Sequence, residues 1–160
     1  LAEQVDPRKA RPVHRGREAP LPRGGRELLE ELFDLARWAP NHHLTNPWRF
    51  RVLGPESLAA LKRAAGPQAA TKLDRAPTLV CASVKITGDP VQDEEDVCAA
   101  ACAVYVLLLA AHDRGLAGYW RTPGLLREPA GRAAVGLSEG ERFVGLLHLG
   151  ALRQQKEAPQ

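Results

Sequence analysis

A chain of 160 residues, with 44% hydrophobic and 26% charged side chains, has the composition of a globular protein and can bury roughly 70% of the surface its unfolded form exposes. That excludes a disordered, collagen-like or fibrous chain, and the length predicts a single domain over residues 1–160. The net charge of +3 is unevenly placed: residues 1–26 carry seven Lys and Arg against three acids, while the remainder carries 15 against 16. The opening segment is therefore a basic arm, suited to a phosphate, a nucleic acid or an anionic surface. It contains no Phe, Trp or Tyr, so the stacking platforms of single-strand binding are absent and no nucleic-acid partner is expected.

Beyond the arm, Leu28, Leu29, Leu32, Phe33, Leu35 and Ala36 recur at helical spacing until Pro40. Asn41 to Pro47 reads as a polar loop, and Trp48 to Leu53 alternates as a strand does. Glu56 to Ala65 follows as a second helix, and Thr78 to Val84 as a buried strand. The acids Asp93, Glu94, Glu95 and Asp96 favour the positive end of an apolar helix over 97–114, which Gly115 ends. A short strand over Gly118 to Arg121, a short helix over Leu125 to Val135 and a last strand over Phe143 to Leu149 complete the pattern. The fold class is α+β, with a central mixed sheet of about four strands flanked by helices.

The apolar run Val97 to Ala111 is shorter than the about 18 residues of a bilayer span, so no membrane segment is expected. Cys81, Cys98 and Cys102 are an odd number in a chain long enough to need no staples, with no signal-peptide pattern at its start. They predict a reduced, cytoplasmic protein. The lack of any methionine predicts that the natural start lies before Leu1.

No G-x-G-x-x-G, P-loop, H-E-x-x-H or G-x-S-x-G pattern occurs. Cys98 and Cys102 share a helix face, but their neighbours are alanines, so they read as buried structural thiols and no metal is expected. Two segments concentrate ring and amide groups. Trp38 to Phe50 includes Asn41, His42, His43 and Asn46 between a helix and a strand, where a scaffold presents binding groups. Gly118 to Gly124 includes Trp120, Arg121 and Thr122, which offer an anion-binding guanidinium beside a hydroxyl. Trp120 is equally compatible with the core.

In this order and spacing the segments resemble the FMN-dependent nitroreductase family, in particular its short bacterial members. The family's R-R-S-x-R signature and P-x-P turn resemble Ala10-Arg11-Pro12-Val13-His14 and Pro20-Leu21-Pro22. Its helix into A-P, with a polar loop ending in P-W-x-F, is similar to Trp38-Ala39-Pro40 through Pro47-Trp48-Arg49-Phe50. Its long Ala/Leu-rich helix with a following G-L-x-G-x-W matches Glu95 to Gly115 and Leu116 to Trp120, and its V-G-x-L-x-L-G matches Val144 to Gly150. Departures are Ala10, Pro12 and His14 in the signature and Asn46 where the family has Gln.

The resemblance implies an intertwined homodimer with FMN at the subunit interface. It implies cofactor contacts from Arg11 and Pro12 in the arm, Trp38 and His42 in the first loop, and Trp120, Arg121 and Thr122 after the long helix. It places the nicotinamide nucleotide at Ala110, Ala111, His112, Asp113, Arg114 and Gly115. NADH or NADPH would reduce the flavin, which then reduces a small oxidant such as a nitroaromatic or quinone. The flavin carries the redox chemistry, so no catalytic acid-base pair is sought. The same scaffold admits a flavin dehydrogenase or dehalogenase with another substrate, or a flavin-binding or structural dimer without turnover.

Overall fold

The computed structural model describes residues 25–151. Helix α1, Gly25–Ala36, buries Leu29, Leu32 and Ala36, the three- and four-residue spacing of one helix face. Strand β1, Trp48–Val52, leads into α2, Pro55–Ala70, and then β2, Thr78–Lys85. Helix α3, Pro90–Asp113, precedes strand β3, Leu116–Arg121, the short helix α4, Pro129–Ala134, and strand β4, Glu141–Ala151. Single 3-10 turns cover His42–Leu44, Leu73–Arg75 and Gly124–Arg127.

The sheet order is β1-β2-β4-β3, and every adjacent pair is antiparallel. The sheet is thus not mixed in its pairings as the sequence reading had it. β2 and β3 run the same way, joined by α3, but β4 inserts between them and removes the parallel contact. Strand alternation then splits the core in two. Val80, Ala82, Leu147 and Leu149 meet α1 and α3 on one face. Leu79, Cys81, Phe143 and Leu146 meet Leu61 of α2 and Leu126 on the other.

Several elements differ from their expected bounds. α3 begins at Pro90 rather than 97, because the Asp89 carboxylate accepts from the Val91 and Gln92 amides and caps the first turn. At 24 residues it is long and apolar enough to cross a membrane by length and composition alone. Here it lies on the sheet, with Ala99, Ala103, Leu107 and Ala111 in the core. α2 continues past Ala65 after a break at Gly66, whose φ of 73° is left-handed. The helix expected over Leu125 to Val135 divides into the Gly124–Arg127 turn and α4, separated at Glu128, whose extended backbone precedes Pro129.

Cys98 and Cys102 are exposed, not buried as expected, and Cys81 alone is buried. The cause is rotational: the buried positions of α3 point to α1 and the sheet, and Cys98 and Cys102 lie on the opposite side with half-exposed Tyr105.

Candidate functional site

The loop between α1 and β1 is strained and braced by hydrogen bonds. His43, Leu44 and Asn46 have φ of 53°, 53° and 45°, conformations that cost a residue other than glycine of order 1 kcal/mol each and persist where neighbours impose them. The Asn41 side chain supplies one brace, donating to the Ala39 carbonyl at 3.3 Å and accepting the Asn46 amide at 3.0 Å. α3 supplies two more. Buried Asp96 accepts from the Thr45 hydroxyl at 2.6 Å, and Glu95 pairs with His42 Nδ1 at 2.7 Å. His42 and His43 stack with centroids 3.9 Å apart. Held this way, the loop leaves Trp38 80% and Leu44 78% exposed.

At the end of β3 the side chains divide between the sheet faces. Trp120 turns toward the α1/α3 core, donates from Nε1 to the Val144 carbonyl at 3.2 Å and packs on Gly145. It is half-buried, partly satisfying the core reading. Tyr119 lies on the other face, its ring 6.4 Å from that of buried His148. Burial, then the charges of Arg121 and Arg75, push His148 down to about 4, and its Nε2 has no partner among the described residues. Arg121 is half-buried with no carboxylate partner among the described residues, and Thr122 is exposed.

Within one chain the two groups of residues sit beside opposite edges of the sheet. β1 and β3 are opposite edges of the sheet, and three strand spacings, about 14 Å, lie between them. Arg11 and Pro12 lie outside the described residues. In the segment expected to meet a nucleotide, Ala110 and Ala111 belong to the core. His112 is half-buried, Asp113 is exposed, Arg114 bonds Glu31 and the Ala110 carbonyl, and Gly115 ends the helix at φ 73°. Sequence reasoning missed Glu95 and Asp96 as loop anchors, since acids at the start of a helix were explained by its dipole. His148 carried no signal beyond being a polar residue inside an apolar strand.

A second polar cluster lies on the α2/α4 face. Glu141 receives both terminal nitrogens of Arg51 at 2.8 and 2.6 Å, and the hydroxyls of Ser83 and Ser138. Burial pushes its carboxyl up, but those hydrogen bonds outweigh it and hold the group down at about 2. Cys81 beside it is pushed up to about 12, chiefly by burial, so it is an inert thiol. The cluster is fully paired within the chain and reads as a structural tie between β1, β2 and β4.

No family model matches the chain. It is 32% identical over 145 residues to "Putative NAD(P)H nitroreductase YdjA" of Escherichia coli K12, covering 82% of this chain and 78% of that protein. Among solved structures it matches the nitroreductase-like family protein of Bacillus cereus with a TM-score of 0.81 at 23% identity, covering 100% of this chain and 92% of that one. It matches the FMN and NADPH-dependent nitroreductase NfnB of Sphingopyxis with a TM-score of 0.73 at 15% identity, covering 95% and 91%. A four-stranded antiparallel sheet between two helical layers, with a pinned loop before the first strand, is here the nitroreductase-like fold. The chain belongs to the nitroreductase family.

Proposed function

We propose that the protein is an FMN-dependent oxidoreductase, working as a homodimer, that takes electrons from NADH or NADPH and passes them in a second step to a nitroaromatic, quinone or similar small acceptor. The observation that carries this reading is the pinned loop, which spends backbone strain to display the Trp38 ring, the Leu44 side chain and the His42 imidazole. Such a surface fits a planar heteroaromatic ring, and Arg121, which has no carboxylate partner among the described residues, fits its phosphate or the charge it gains on reduction. The similarity to NfnB, an FMN and NADPH-dependent nitroreductase, supports the same pairing.

FMN when bound supplies the two-electron chemistry. Trp38 and His42 would flank it from the first loop, and Trp120, Arg121 and Thr122 from the end of β3. Arg11 and Pro12 would contribute from the arm. The accessible part of 112–115 would receive the nucleotide. Because the loop and the end of β3 lie at opposite sheet edges in one chain, a site using both takes one from each protomer. Three thiols with no disulfide suit a reducing cytoplasm.

The test is direct. Purified protein, denatured, should release FMN, and stripped protein titrated with FMN should bind about one per chain. Protein that neither carries nor takes up flavin removes the reductase reading and leaves a structural dimer.

A further inference from the structure

His42 and Glu95 are 53 residues apart, yet the imidazole Nδ1 lies 2.7 Å from Oε2 of the carboxylate. Both side chains are well exposed, at 59% and 41%, and an exposed ion pair contributes little to stability. Anchoring of the loop is already provided next door, where buried Asp96 takes the Thr45 hydroxyl. What the Glu95 contact adds is direction. A carboxylate accepts but cannot donate, so it keeps a proton on Nδ1, and the ring geometry then turns Nε2 away from α3. His43, stacked on the same ring, restrains its rotation, and no described residue hydrogen-bonds Nε2.

We propose that Glu95 is a positioning residue for His42, leaving Nε2 as the nitrogen that delivers a proton to the acceptor. This rests on the reading of the protein as a flavin reductase. A quinone becomes a hydroquinone by gaining two electrons and two protons. NAD(P)H brings both electrons and one proton. The second proton passes from Nε2 of the doubly protonated His42 ring to an acceptor oxygen, which leaves the Nδ1–H tautomer that Glu95 holds, and water reprotonates Nε2 across the exposed face. The balance is quinone, NAD(P)H and one proton giving hydroquinone and NAD(P)+.

The experiment compares two acceptors in the FMN-loaded protein: a quinone, which needs protons, and ferricyanide, which takes electrons alone. Glu95→Gln can donate as well as accept and so releases the tautomer. It should lower the ratio of quinone to ferricyanide rates on the order of tenfold, part of the hundredfold or more that a positioned acid contributes. Nitrogen NMR of His42 in the same variant should change from one tautomer to a mixture. Thr45→Val, which removes the neighbouring anchor, should move both rates together. An unchanged ratio or an unchanged tautomer in Glu95→Gln overturns the proposal while leaving the reductase standing. Wild-type protein that reduces neither acceptor overturns the reductase reading, and this step with it.

Discussion

His148 is kept neutral inside the sheet by its surroundings, first by burial and then by the nearby charges of Arg121 and Arg75. Its folded value of about 4 lies below the 6.5 of an ordinary imidazole, so between those pH values the unfolded chain binds more protons than the folded one. Stability present above pH 6.5 is therefore lost as the pH falls toward 4. Glu141, held at about 2 against its ordinary 4.5, adds a second loss with the same sign in a lower window. Urea titrations of the wild type should show about 2 kcal/mol lost between pH 7 and pH 5. His148→Leu should flatten that interval and leave the loss below pH 4.5 in place. Equal slopes in both proteins between pH 7 and 5 would place the titrating group elsewhere. None of this was legible in the sequence, where His148 was one polar letter in an apolar strand. The charges acting on it come from residues 27 and 73 positions away. Trp38 and His42, by contrast, were visible as a cluster, because a loop that gathers rings and amides declares itself without tertiary information.

Among the elements, α1, β1 and β2 were legible because each carries its own periodicity. α3 was found, but started seven residues late. Its first turns are polar, and only the Asp89 cap and the packing of Asp96 against Thr45 show them to be helical. The pairing of β4 between β2 and β3 left no trace in local pattern, since an interior strand reads the same beside any neighbour. One letter in β4 does report a tertiary contact. A Cβ at Gly145 would fall 2.0 Å from Trp120 Nε1, well inside contact distance, so the glycine is what lets the indole of β3 lie flat on β4. Gly145→Ala should force the ring out or bend the strand, costing about 1–3 kcal/mol as overpacking does. It should also break the Nε1 bond to the Val144 carbonyl. A lower urea midpoint with altered tryptophan emission is the expected result, and a wild-type midpoint would mean that Trp120 moves aside at no cost.

At the scale of the molecule, the fold leaves an apolar surface that the described residues do not cover. Val91, Cys98, Cys102 and Tyr105 recur along the outer side of α3 at helical spacing, with Val91 69% and Tyr105 50% exposed, while Trp38 and Leu44 stand out from the loop that touches the same helix. A monomer in water rarely leaves so much ring and methyl surface together, and a twofold pairing would hide one copy's stripe against the other's. The same pairing explains how a site could join groups from opposite edges of the sheet. Light scattering at low micromolar concentration should therefore give about twice the 17.4 kDa of one chain. Tyr105→Arg places a charge in the stripe without touching the core, so it should shift the mass toward one chain and weaken flavin uptake together, with far-UV dichroism unchanged. A wild-type monomer would refute the twofold pairing. A monomeric Tyr105→Arg that still binds FMN with wild-type affinity would show that one chain completes the site by itself.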